Sequence, residues 1–291
     1  MSVDSCCEVS KALGEPVAGT AIVNTFRWLL VELPGAWAPK VMDSPALQGP
    51  VREHLDRALQ ELPGSRLQLI RRPSSTGKVT VMAATSSSDN QTVYRLKLKS
   101  IEQLVDIDIA ALFAGGEGSE SLQESIYLVC SHGIRDQCCA REGLPVFNAL
   151  HHQRPGLVWQ TTHLGGHRFA ATLVVLPMGL QFGRVSPDDA VDLTSSIDVR
   201  RIYRLDRYRG TTSCSRMMQV AEAHLRSEGQ NLGIDSVRHL SSTDTAEIFD
   251  VHGKSVRVAV RTKSDPRMRP FSCGDEKQRS PSIHEATVSS L

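Results

Sequence analysis

The stretch SIYLVCSHGIRDQCCAREGLPVFNALHHQRPGLVWQTTH, residues 125 to 163, decides how the chain is read. SIYLVC is a short apolar run that reads as a strand ending at Cys130. LPVFNALHHQ (144–153) carries helical spacing, with Pro145 suited to a first turn. GLVWQTTH (156–163) reads as a second strand, ending at His163. Working outward, ATLVVLPMG and LQFGRV form a hairpin about Met178-Gly179, and SPDDAVDLTSSI (186–197) begins a further helix. Over residues 122–200 the order is therefore strand, helix, strand, strand, strand, helix.

That order is close to a compact thioredoxin-like unit, and the elements on either side alternate in the same way. FRWLLVELPGAW holds a strand closed by Pro34-Gly35. Residues 47–62 place Val51, Leu55, Leu59 and Leu62 at helical spacing. RLQLIRR, KVTVMAA and TVYRLKL read as strands, separated by the turn-rich PSSTG (73–77) and TSSSDNQ. Ser100 and Gln103 make a capping box for a helix carrying Ile101, Leu104, Ile107 and Leu112. The later chain offers a helix at CSRMMQVAEAHLRSEG and a strand pair at AEIFDVHG and SVRVAVRTK. The expected organisation is α/β throughout: a flexible arm at 1–15, an N-terminal α/β domain at 16–115, a central domain at 122–200, a C-terminal α/β segment at 201–275 and a disordered tail at 276–291. AGGEGSESLQES (114–125) reads as a linker, and the sequence shows no internal repeat.

Bulk properties narrow the function. The 291 residues carry a formal net charge of +1, with 40% hydrophobic and 22% charged residues, as in ordinary globular proteins. Basic residues are scattered apart from short clusters such as RRIYRLDRYR, so no nucleic-acid partner is expected. No apolar run reaches the roughly 18 residues that span a bilayer, so no membrane partner is expected either. MSVDSCCEVSKALGEP lacks the apolar core of a secretory signal. Seven cysteines, two pairs of them adjacent, then point to a cytoplasmic chain with reduced thiols rather than a disulfide scaffold.

Those soft ligands gather with histidines. Cys130 ends a strand, Cys139 precedes a helix, and His163 and His167 flank Leu164-Gly165-Gly166. Adjacent glycines let the backbone turn sharply, so the two imidazoles can converge on one object. His132 reads as a supporting donor or loop residue, and Arg135 with Asp136 as a pair tying the loop between the cysteines. His151 and His152 suit a solvated helix C-terminus. Cys6 and Cys7 read as exposed and incidental, and Cys214 and Cys273 as structural.

The words C-x-H-x-x-R-D-x-x-C, H-x-G-G-H-R-F-A and FSCG (271–274) resemble the sucrase/ferredoxin-like family, a branch of the thioredoxin-like [2Fe–2S] ferredoxins. GTAIVNTFRWLLVELPGAW and YRGTTS extend the resemblance over most of residues 18 to 275. The resemblance implies a [2Fe–2S] cluster held by Cys130, Cys139, His163 and His167, with H-x3-H replacing a C-x3-C pair. It favours Cys139 over its neighbour Cys138, because Cys139 carries the C-A-x-x-G continuation. His132, Arg135, Asp136, Cys138, Gly165, Gly166 and Arg168 would then surround the ligands. Electron transport between unknown donor and acceptor proteins is the implied function.

Two other classes stay open on the residues alone. Zinc accepts two cysteines and two histidines, although a nine-residue step between the cysteines is wide for a zinc knuckle. The chain would then be a zinc-stabilised, non-catalytic interaction protein. A thiol oxidoreductase could use Cys138 and Cys139, but adjacent thiols bridge only with strain. No pair of carboxylates suited to glycoside hydrolysis stands out.

Overall fold

The computed structural model describes residues 5–73, 77–230 and 232–290. The turn expected at PSSTG falls largely outside them. The first half runs α1 (Cys6–Ala12), β1 (Arg27–Glu32), α2 (Pro50–Glu61), β2 (Ser65–Arg71), β3 (Val79–Ser86), β4 (Gln91–Leu98), α3 (Ile109–Phe113) and β5 (Glu120–Ser121). The second runs β6 (Ile126–Cys130), α4 (Gln137–Gln153), β7 (Val158–Thr161), β8 (Leu173–Leu176), β9 (Leu180–Phe182), α5 (Ala190–Asp198) and β10 (Tyr208–Thr211). After these come α6 (Arg216–Gly229), β11 (Val237–Ser242), β12 (Glu247–Val251), β13 (Lys254–Ser264) and β14 (Ser282–Ser290).

The two halves share one connectivity. In the first, β1 lies between β2, which runs parallel to it, and β3, which runs antiparallel and pairs onward with β4. In the second, β6 lies between parallel β7 and antiparallel β8, which pairs onward with β9. Each half thus has the spatial order second, first, third, fourth. The repeat escapes the sequence because it lies in strand order rather than in matching residues. Strands β2 and β7 join the halves antiparallel through Ile70↔Thr161 and Arg71↔Gln160, giving one ten-stranded sheet, β10-β9-β8-β6-β7-β2-β1-β3-β4-β5. The segments 16–115 and 122–200 are therefore halves of one sheet, and β10, expected in the C-terminal segment, is its edge strand.

Strands buried on both faces supply the core. Leu29 and Val31 of β1 pack with α2 and α3, and Tyr127 and Val129 of β6 pack with α4 and α5. The alternate residues, Trp28 and Leu30 of β1 with Ile126, Leu128 and Cys130 of β6, meet in a single shared cluster. Removing a side chain such as Leu128, which is fully buried, from water contributes about 1.5–3 kcal/mol. Cys130 is thus held at the join between the halves.

Several local expectations change. The capping box at Ser100 does not start one long helix: Ile101–Asp106 is a 3-10 turn, and α3 begins anew behind Asp108, which accepts from Ala111 N at 2.9 Å. Helix α4 starts seven residues before Leu144, so Pro145 lies in its interior. Asp136 makes the early start possible by capping it, accepting from Cys138 N at 2.9 Å. The linker expected at 114–125 contains β5, paired with β4. The arm expected at 1–15 holds α1, with Cys6 and Cys7 buried. The tail expected to be disordered forms β14, which pairs with β13 from Val256↔Ser290 to Ser264↔Ser282. Its apolar residues Ile283, Ala286 and Val288 do not keep strict alternation, so neither its pattern nor its Ser-rich composition marks it as a strand.

Candidate metal centre

Cys130 ends β6, and Cys139 lies in the first turn of α4 after a loop folded over His132, whose carbonyl accepts from Arg135 N and Asp136 N. Gly143 lets α4 press onto β6: a Cβ there would stand 2.0 Å from the carbonyl oxygen of Cys130. His163 follows β7. One ligand atom each from Cys130, Cys139 and His163 lies within 4.8 Å of the others, and Cys139 Sγ is 3.5 Å from His163 Nδ1. The ring of His167 stands 5.2 Å from that of His163. Three of the four expected ligands thus form one tight group, with the fourth beside it.

The turn between the histidines is built as the glycines suggest. Gly165 and Gly166 adopt φ +76° and +66°, conformations that cost other L-residues roughly 1–2 kcal/mol. Three consecutive carbonyls of this turn are held from other elements. Arg66 of β2 donates to His163 O at 2.9 Å, Gln181 of β9 to Leu164 O at 3.0 Å, and Arg209 of β10 to Gly165 O at 3.0 Å. These supports were missed in the sequence, where an Arg or Gln in a strand carries no mark of what it will hold. The word YRGTTS, which contains Arg209, was the one available signal.

Electrostatics at the group is uneven. The hydrogen bond from Cys139 is the chief cause that drives the Cys130 thiol well below its ordinary pKa, against the effect of burial, and His163 acts in the same direction. Cys139 is pushed up, first by Cys130 and then by burial. The partial positive charge at the start of α4 favours sulfur anions there. Burial lowers His132 and His167, favouring neutral imidazoles. His167 Nε2 lies against the Phe271 carbonyl, a contact that assigns the ring proton to Nε2. Its Nδ1 is buried without a hydrogen-bond partner among the described residues, 3.4 Å from an Asp136 carboxylate oxygen in a geometry that is not a hydrogen bond. A ring nitrogen left with its lone pair inside a thiol-rich pocket is suited to a metal.

The surrounding residues divide. His132 supports the group, its Nδ1 accepting from His163 N at 3.2 Å, with its ring edge-on to Trp37. Arg135 is exposed, whereas Asp136 is buried and caps α4, so the expected pairing gives way to a cap. Asp136 also accepts from Ser272 Oγ at 2.9 Å and Cys273 N at 2.8 Å. Arg168 donates to Glu15 at 2.9 Å and lies over Phe169 and Phe271. Cys138 and Cys139 point apart, because neighbouring helical residues are about 100° apart round the axis. Cys138 Sγ lies 3.6 Å from that of Cys6 and 3.3 Å from that of Cys273.

The fold and this site define an α/β protein with a buried cysteine–histidine group able to hold metal. The chain belongs to the sucrase/ferredoxin-like family, whose profile matches residues 19–210. It is also similar to altered inheritance of mitochondria protein 32 of Meyerozyma guilliermondii, 29% identical over 104 residues. That match covers 31% of this chain and 36% of the relative. No solved structure matches the chain. Among the described residues, no helix is long and apolar enough to cross a membrane.

Proposed function

We propose that Cys130, Cys139, His163 and His167 hold a [2Fe–2S] cluster and that the chain is a one-electron carrier. The observation that carries this reading is the convergence of ligand atoms from Cys130, Cys139 and His163 within 4.8 Å, with the His167 ring alongside. When bound, such a cluster supplies reversible one-electron transfer. The strand order round β6, with α4 and α5, supports a thioredoxin-like assignment for this half. The residues of the chain do the rest. Gly143 sets the depth of α4 against β6, and Arg66, Gln181 and Arg209 fix the turn that carries both histidines. The Phe271 carbonyl orients His167, as a second partner commonly does for a ligating imidazole. Burial keeps water from the thiolates. Redox donor and acceptor proteins are the partners this reading requires, and a reducing compartment such as the cytoplasm would keep the thiols available.

Zinc is the second reading, favoured by a three-residue group compact enough for one ion. The two readings separate on the purified protein. The cluster predicts two iron and two acid-labile sulfide per chain with visible absorption. One zinc per chain, lost on mutation of Cys130, and no sulfide would overturn it.

A further inference from the structure

A second group of thiols lies behind the first, and the electron-carrier reading makes no use of it. Cys6 of α1, Cys138 of α4 and Cys273 of the segment after β13 form a triangle. Their sulfurs are separated by 3.6 Å (Cys6–Cys138), 3.3 Å (Cys138–Cys273) and 3.5 Å (Cys273–Cys6). Cys6 and Cys138 are buried, and Asp136, 4% exposed, places its carboxylate oxygens 3.9 and 4.0 Å from Cys6 Sγ. All four ligand atoms lie within 4.8 Å of one another.

Apolar packing of thiols would explain a contact between two of them. It does not explain a triangle closed by a buried carboxylate, and the dimensions suit an ion. A tetrahedral zinc with Zn–S of about 2.3 Å requires sulfurs about 3.8 Å apart. With Zn–O of about 2.1 Å, the sulfur-to-oxygen edge is about 3.6 Å. The observed edges are close to both, so a few tenths of an ångström of adjustment would complete the shell. Cys7, the neighbour of Cys6, also contacts Cys138, but its sulfur accepts from Arg141 at 3.1 Å and meets Ser5 Oγ at 3.4 Å as well.

The positions in the chain support a structural role. The three sulfurs come from segments 132, 135 and 267 residues apart. Those segments are already drawn together by polar contacts. Glu15, just beyond α1, meets Arg269 at 3.1 Å, Arg267 donates to Leu13 O at 2.7 Å, and Asp136 accepts from the Cys273 amide. We propose that Cys6, Cys138, Cys273 and Asp136 form a structural zinc site that fastens both ends of the chain to the start of α4. Such an ion would hold in place the turn containing Phe271, and hence His167. Binding displaces the three thiol protons to solvent, with no change in oxidation state.

The test uses the full chain, produced with zinc and kept in reductant. Elemental analysis should find one zinc per chain, and X-ray absorption at the zinc edge should show three sulfurs and one oxygen. Cys138→Ser and Cys273→Ser should each lose the zinc, while Cys7→Ser and Cys130→Ser keep it. A variant that misfolds is distinguished by its thermal transition, and the wild-type absorption spectrum decides independently. No zinc in reduced wild-type protein, zinc retained in folded Cys138→Ser, or iron or copper at this site would overturn the proposal. A four-sulfur shell would replace Asp136 with Cys7 and overturn that ligand. Zinc retained in Cys130→Ser while iron and sulfide are absent from the wild type would refute the cluster reading and leave this one standing.

Discussion

Cys139 Sγ and His163 Nδ1 stand 3.5 Å apart although 24 residues separate them, one in the first turn of α4 and the other just beyond β7. The parallel pairing of β6 with β7 brings the two together, since it places Cys130 opposite Thr161, two residues before His163. On the proposed function, Cys130→Ser or Cys139→Ser should abolish the visible chromophore, because an alcohol is a far poorer iron ligand than a thiolate. Cys138→Ser should leave it, as that thiol packs with Cys6 and Cys273. Absorption spectra of the three variants decide, and a bleached Cys138→Ser beside a coloured Cys139→Ser would contradict the assignment.

Gly166 should be needed although it ligates nothing. At φ +66° a side chain is strained, and a Cβ there would lie 2.3 Å from Arg209 Nη2, the guanidinium that holds the turn. Gly166→Val should therefore lower iron per chain while the protein still folds. Iron analysis with a thermal melt checks this, and full loading would show the turn tolerates a side chain.

Gly143→Ala tests the seam between α4 and β6. The added methyl would collide with the backbone carbonyl of Cys130, which cannot give way like a flexible side chain. Overpacking of this kind costs about 1–3 kcal/mol, so the urea midpoint should fall and iron loading with it. An unchanged midpoint would mean that α4 is free to shift.

Much of this architecture could be read in advance, and the misses share a cause. Cys130, Cys139, His163 and His167 stood out because metal-ligating side chains are uncommon and Gly165-Gly166 marks a sharp turn. The α/β alternation was equally plain in runs such as Ile126–Cys130 and Val158–Thr161. The start of α4 was hidden because Gly143 and Pro145 argue against a helix locally. Tertiary contact reverses that, with Asp136 capping the first turn and Gly143 admitting the Cys130 carbonyl. Cys6 reads as incidental and Cys273 as merely structural because each is unremarkable in its own segment. Their meeting depends on Glu15–Arg269 and on Asp136 holding the Cys273 amide, pairings between residues far apart in the chain. Arg209 likewise reads as one more basic residue until the fold buries it over Phe169.

The histidines should set the redox potential. A neutral imidazole donates less charge than a thiolate, as Rieske centres illustrate, lying at about −150 to +300 mV against about −400 mV for plant-type ferredoxins. The midpoint should also depend on pH. Reduction adds negative charge, which raises the pKa of the ring proton that His167 directs at the Phe271 carbonyl. Electron uptake then brings proton uptake, so the midpoint is flat below both pKa values and falls as pH rises between them. His167→Cys should lower the potential and weaken that slope in a pH-resolved redox titration. A wild-type potential near −400 mV and independent of pH would rule out imidazole ligands.

In the proposed cluster, Cys130 and Cys139 would hold one iron and His163 and His167 the other. Mössbauer spectroscopy of the oxidised full chain labelled with 57Fe reads the two iron environments separately. Two quadrupole doublets of equal area are expected, from two coupled, inequivalent ferric sites. Two equivalent irons, or a single uncoupled iron, would contradict this ligation.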